Sequence, residues 1–419
     1  MNGRSRTLSR RDLVTGAAGA LGATMLAGVT LPVGAQKAGP AVAPPPLVPL
    51  DPTRVPGGPT APLGARSPFE APVRTPSGET TGFSLTPLQD LAGTITPSDL
   101  HFERHHAGIP AIDPAQHQLL LHGLVDRPMV FTIDDIKRFP QVTRVHFLEC
   151  SGNGRTAFRD PKPDMTPQKV AGLFSTSEWT GVPLATLFRE AGVKPAASWF
   201  LAEGGDACLM SRSVPIDKAW DDALVVWAQN GEPLRPAQGY PLRLVLPGGE
   251  GNNNVKWLRR LELGTQPWMT RWETSRYTDP LLDNTARQFS MELDAKSIIT
   301  SPAHPGRLIP GWRPISGLAW TGRGRITRVE VSTDDGRNWH DAELHGAALP
   351  KAPVRFQHMW EFTGQDAVLL SRATDETGYV QPTRTKLIAV RGIGTDYHFN
   401  QVVGCKVERD GQVFFHGAT

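Results

Sequence analysis

The pattern of apolar residues changes near residue 286, and that change limits the chain to two consecutive folds. Before it, short strand-like runs alternate with brief helical ones. Gln118 to Val125 reads as a strand, Thr132-Ile133-Asp134-Asp135 opens a capped amphipathic helix, and Pro183 and Gly192 bracket a helix over Leu184 to Ala191. Pro241 to Leu246 alternates and then breaks at Pro247-Gly248-Gly249, after which Val255 to Leu263 resumes a strand pattern. Beyond residue 286, Ile326 to Ser332 sets Ile and Val against Thr, Arg and Glu and turns at Asp334-Asp335-Gly336. Further strands are predicted near Val368 to Arg372 and Lys386 to Arg391, with almost no helical periodicity. The expectation is an α+β domain over 86–285 and a β-sandwich over 286–419, with a C-terminal tail from Tyr397 that shows no clear pattern.

The N-terminus addresses compartment. Ser9-Arg10-Arg11-Asp12-Leu13-Val14 precedes a small, apolar run from Ala17 to Val33, and Val33-Gly34-Ala35 has cleavage-site spacing. Residues 1–35 therefore read as a twin-arginine signal that directs a folded protein to the periplasm, with a retained anchor as the alternative. That segment holds four arginines and one aspartate, so its removal leaves 40 basic and 40 acidic residues and no excess charge. Such a balance gives no reason to expect a nucleic acid or an acidic membrane surface as partner. Residues 36–85 are proline-rich and read as an extended lead-in. No later stretch is long and apolar enough to predict a membrane span.

Three cysteines, Cys150, Cys208 and Cys405, cannot make a full disulfide framework. Cys150 is the informative one. The apolar run Val142 to Leu148 delivers it into the turn Ser151-Gly152-Asn153-Gly154, where small residues let the backbone approach a neighbour closely. Arg155 follows five residues after the thiol, and a cation there favours the thiolate, a nucleophile or a soft metal ligand. A buried, inert thiol fits the same segment.

Other segments carry polar groups in unusual places. Arg104-His105-His106 is a cationic cluster, although adjacent histidines rarely face one metal. Asp206 ends the glycine turn Glu203-Gly204-Gly205-Asp206, where capping a turn is the ordinary role. Arg243 lies inside an apolar strand, where an unpaired charge is costly. Gly248 to Asn254, followed by Lys256, suits an anion-cradling loop but lacks the spacing of a phosphate loop, which rules out a P-loop nucleoside triphosphatase. Tyr277 offers a hydrogen-bonding, redox-capable phenol beside Arg276. Together these supply one soft ligand, several cations and a tyrosine, with no carboxylate pair and no serine triad.

Taken in order, the cysteine loop, the Phe102-Glu103-Arg104-His105-His106 element and the Pro247-Gly248…Val255-Lys256-Trp257 segment resemble the molybdenum sulfite oxidase family. The resemblance runs over roughly Leu88 to Arg391. It implies a sulfite-oxidase-type molybdopterin domain followed by an immunoglobulin-like β-sandwich that mediates dimerisation. It also implies a molybdenum–molybdopterin cofactor, with the Cys150 thiolate on the metal. Arg104, Arg155 and Arg243 match arginines that hold the cofactor phosphate or line an oxyanion pocket. His106, Asp206 and Lys256 match further cofactor-pocket positions, and Tyr277 matches a tyrosine close to the metal.

Leu100 to Gly108, Ala237 to Arg243 and Asp375 to Pro382 carry a closer likeness to a bacterial branch of the family. That branch oxidises sulfane sulfur held as a cysteine persulfide on a carrier protein and passes electrons to a c-type cytochrome subunit. Gln238 stands where animal sulfite oxidases have a histidine, and a neutral amide cannot supply a titratable imidazole. The chain has no Cys-x-x-Cys-His motif, so no haem is expected on it and electrons must leave through another protein. Dehydrogenation of free sulfite is the enzymatic alternative, sulfoxide reduction a more distant one, and a non-catalytic periplasmic binding protein the alternative of another class.

Overall fold

The structure is a computed structural model and describes residues 58–418. The segment 1–35, expected to be a twin-arginine signal, lies outside the described residues. The chain divides into two compact units, Met1–Ala65 and Arg66–Thr419, and among the described residues the second holds all the regular structure.

Within the second unit, the first half is built on two sheets. One is antiparallel and joins Val142–Glu149, Phe174–Pro183 and Leu224–Gln229, with Glu232–Pro233 and Arg243–Val245 both pairing to the last of these. The other runs Met129–Thr132, Gln118–Gly123, Leu258–Gly264, Trp199–Gly204 and Ser211–Pro215, with its single parallel pair between Gln118–Gly123 and Leu258–Gly264. A core of Leu119, Phe131, Leu187, Phe188, Phe200, Val225, Leu244 and Leu261 fills the space between the sheets and the helix Leu184–Ala191. That helix puts five buried residues on one face and stops at Gly192, whose φ of 71° suits glycine.

A three-stranded sheet precedes these: Thr75–Gly78, Gly82–Leu85 and Glu103–His105. Two of its strands fall inside the stretch that proline content marks as an extended lead-in, so the regular fold starts before residue 86. Pairing with Glu103–His105 supplies the hydrogen bonds that composition alone does not foretell.

The second half is a β-sandwich. One sheet joins Lys296–Ser301, Gly311–Trp320, Val354–Phe362 and Glu343–His345; the other joins His340–Asp341, Ile326–Ser332, Ala367–Asp375, Gly404–Val407 and Val413–His416. Ile299, Ile315, Val329, Val331, Phe356, Leu369 and Val407 form its core. The tail beyond Tyr397 is thus part of the sandwich and supplies its last two strands. Lys386 to Arg391, a strand by its sequence pattern, lies in the α-helix Arg384–Arg391. The Thr383 hydroxyl accepts the Lys386 N–H at 3.3 Å, and Leu387 turns inward against Phe158 and Phe399. One buried contact and a cap decide the segment against its β-branched composition.

Candidate molybdenum cofactor site

The strand Val142–Glu149 ends at Cys150, whose N–H donates to the Leu173 carbonyl at 3.0 Å. The Asn153 N–H closes the turn onto the Cys150 carbonyl at 2.8 Å. Gly154 then enters a short helix with φ 99°, leaving little room above it, since a Cβ would stand 3.1 Å from Phe399 Cβ. On the other side Gly251 lies against the cysteine backbone. A Cβ there would meet Cys150 Cα at 3.1 Å and the Glu149 carbonyl at 2.8 Å, so the close approach of the two loops requires glycine.

Of the nine residues singled out by sequence, eight line one cavity: Arg104, His106, Cys150, Asp206, Gln238, Arg243, Lys256 and Tyr277. Arg155 does not. Its guanidinium donates to the Asp396 carbonyl at 2.7 and 3.2 Å and lies 5.6 Å from the Tyr397 ring centroid. It stays beside the turn, however, because the space over Gly152 is shared between Arg155 and the Cys150 sulfur.

The three cations of the wall have no carboxylate partner among the described residues. Arg243 is 2 % exposed, donates to the carbonyls of Gln238 at 2.9 Å and Asn254 at 3.0 Å, and lies over Trp179. Burial alone brings its guanidinium down to about 9. Lys256 donates to the carbonyls of Arg104 and Ala237 and reaches His105 Nδ1 at 2.8 Å, over the Trp257 ring. Burial, then Arg243, holds it well below the ordinary lysine range. Arg104 donates to the Gly82 and His105 carbonyls. Cations held by carbonyl oxygens and one neutral ring nitrogen, with no carboxylate partner, leave a site that gains by taking in an anion.

The carboxylates nearby are already engaged. Asp206 accepts the Met210 N–H at 3.0 Å and the Cys208 thiol at 2.8 Å, which is the turn-capping role with a cavity-facing edge. Burial and that carboxylate push the Cys208 thiol up to about 12, so it stays protonated. Cys405 is also pushed up to about 12 by burial in the sandwich. All three cysteines are free thiols, and Cys150 alone opens on the cavity. Burial raises its thiol too, opposed by the Gly152 backbone and then by Arg104 and Arg155, and a bound metal would favour the thiolate.

Tyr277 has φ 46°, uncommon for a residue with a bulky side chain, and its hydroxyl meets His106 Nε2 at 3.0 Å. Burial, then the charges of Arg104 and Lys256, lowers His106 to about 4, so the ring is neutral at pH 7. Burial raises the Tyr277 phenol above its ordinary value. Gln238 is buried in the wall, donating to the Phe102 carbonyl at 2.9 Å and facing Arg243 at 3.5 Å.

Several partners were not legible in sequence. Arg212 is fully buried with its guanidinium 5.3 Å from the Tyr277 ring centroid and one nitrogen unpartnered. Glu149, next to the cysteine, accepts from Lys296 at 2.8 Å, Asn153 at 2.9 Å and Trp320 at 2.6 Å. A carboxylate at the end of the strand was the available signal, but two of its three partners, Lys296 and Trp320, come from the second domain.

One soft ligand in a cavity rich in uncompensated cations defines a site for a metal carried on an anionic cofactor. The described residues hold no cluster of three or more His, Cys, Asp or Glu that could hold a metal ion. The residues fit molybdopterin: Cys150 for the metal, and Arg104, Arg243 and Lys256 for the anionic part.

The comparisons agree. Residues 106–272 match the oxidoreductase molybdopterin binding domain and 287–406 the Mo-co oxidoreductase dimerisation domain. The chain belongs to the molybdenum sulfite oxidase family, as an oxidoreductase acting on sulfur donors. It is similar to sulfite oxidase of Gallus gallus, 29% identical over 80% of this chain and 78% of that one. It also resembles the NADH nitrate reductase of Solanum lycopersicum, 32% identical, of which it spans 38%. Within the family it is similar to the solved sulfane dehydrogenase SoxCD from Paracoccus pantotrophus. That structure matches with a TM-score of 0.85 and 42% identity, over 89% of this chain and 99% of that one.

Proposed function

We propose that this chain oxidises sulfane sulfur carried as a cysteine persulfide on a partner protein to the thiosulfonate, passing the electrons to a c-type cytochrome. The observation that carries the reading is the 42% identity with a sulfane dehydrogenase over nearly the whole of both chains. The setting is the periplasm, reached folded through the twin-arginine segment at 1–35, and the chain acts as a homodimer joined through 286–419.

When bound, the molybdenum cofactor supplies oxygen-atom transfer to a sulfur lone pair and takes up the electrons released. Cys150 gives the metal its protein ligand. Arg243 carries charge fixed in the buried wall and Arg104 lies half-buried beside it, so they stabilise an anion with little reorganisation. Neutral His106 Nε2 and the Tyr277 hydroxyl share a hydrogen bond, which gives a proton leaving the site a defined pair of atoms. Gln238 places a neutral amide in the wall where an imidazole would titrate.

The test compares reduction of cytochrome c by a persulfidated carrier protein with reduction by free sulfite. Turnover faster on the carrier supports the reading; rapid turnover on sulfite alone overturns it in favour of a sulfite dehydrogenase.

A further inference from the structure

Three consecutive residues of the second half, Asp396-Tyr397-His398, touch Arg155, Tyr277 and Ser151 in turn, residues of the Cys150 turn and of the cavity wall. The Asp396 carbonyl accepts both Arg155 hydrogen bonds. The Tyr397 hydroxyl accepts the backbone N–H of Tyr277 at 3.2 Å, and the two rings stand 5.3 Å apart. The His398 backbone N–H donates to the Ser151 carbonyl at 2.8 Å, next to Cys150. Its ring is buried between Glu250, with which it forms a short ion pair, and Asp279 at 3.7 Å. Glu250 in turn accepts from Asn252, which also reaches the Ser151 hydroxyl.

Two of the contacts hold conformations that the local sequence does not favour. His398 has φ 62° and Tyr277 φ 46°, and left-handed backbone at non-glycine residues persists only where surroundings enforce it. For Tyr277 the enforcing contact is the Tyr397 hydroxyl, and the result is a phenol aimed at His106. For His398 it is the pair of carboxylates on its ring. Sequence separations of 120 residues from Tyr397 to Tyr277 and 241 from Asp396 to Arg155 show that docking of the second half, not local chain preference, builds this rim.

We propose that Asp396-Tyr397-His398 is a positioning element through which the second domain sets the geometry of the Cys150 turn and of Tyr277. Tyr397 acts through Tyr277 and Arg155, and His398 acts through Ser151 and Glu250. The inference rests on the assignment of Cys150 as the metal's protein ligand.

The test uses Tyr397→Phe and His398→Asn holoenzymes, with asparagine chosen because it tolerates left-handed backbone. Molybdenum content, kcat, KM and the Mo(V) electron paramagnetic resonance spectrum are read for each. Tyr397→Phe removes one hydroxyl acceptor and keeps both ring contacts. It is expected to lower kcat about tenfold, the effect of one lost hydrogen bond, with KM and molybdenum content unchanged. His398→Asn is expected to shift the g values of the spectrum, because the turn that carries the thiolate is released. Spectra and kcat of both variants superimposing on wild type would overturn the proposal. If His398→Asn does not fold, the kcat of Tyr397→Phe decides alone. A Cys150→Ser control separates the two possible failures: an unchanged spectrum there removes the ligand assignment, and this inference with it.

Discussion

The wall of the cofactor cavity and the seam between the two halves both bury charge, and they treat it in opposite ways. In the wall, Arg243 and Lys256 are buried against carbonyl oxygens with no carboxylate in reach. In the seam, Glu149 meets Lys296 and Trp320, and His398 lies between Glu250 and Asp279, with Arg391 beyond. Matched buried charges need nothing further. Unmatched ones are tolerated only where a ligand of the opposite sign completes them, which is why the wall marks the site and the seam does not.

Cys150→Ser has the largest expected effect. Turnover should fall by at least about a thousandfold, as for loss of a group acting at the reacting centre, with molybdenum content reduced. Assay of the purified variant and elemental analysis check it, and full metal with full turnover would remove Cys150 from the site.

Next comes the seam. Lys296→Met leaves Glu149 buried with its strongest partner gone, and breaking a buried pair costs about 3–5 kcal/mol. Denaturant unfolding should show that loss even in cofactor-free protein. Arg243→Met sharpens the contrast. Removing an unmatched charge offsets the loss of two carbonyl hydrogen bonds, so stability should change by no more than about 1 kcal/mol while cofactor retention falls roughly tenfold. A large destabilisation would mean that Arg243 is structural, like Lys296.

The smallest effect concerns pH. Burial works against the His398 imidazolium, but Glu250 and Asp279 outweigh it and raise its pKa. A raised folded-state value gives stability that is complete below the unfolded value, about 6.5, and is lost as pH rises through the folded one. The melting temperature should therefore fall above neutral pH in wild type, and this component should vanish in His398→Asn. Parallel profiles would show that the seam does not depend on that charge.

What the sequence discloses follows the range of the interactions. Val142–Glu149 and the turn after Cys150 are legible because alternation and small residues are local signals. So is the helix Leu184–Ala191, bracketed by its own proline and glycine. Lys386 to Arg391, in the helix Arg384–Arg391, is misread as a strand because its Leu-Ile-Ala-Val run suits either form, and Phe158, more than 220 residues away, decides it. Arg155 is legible as a cation near the thiol, yet its hydrogen bonds go to Asp396 and not into the cavity. Tyr397 and His398 give no local sign at all, since their partners belong to the other half of the chain.

The central claim is that a single cysteine joins this chain to molybdenum, and X-ray absorption at the molybdenum edge tests it most directly. The holoenzyme should show one more sulfur neighbour than the Cys150→Ser variant at the same metal loading. Equal sulfur counts in the two proteins would contradict it.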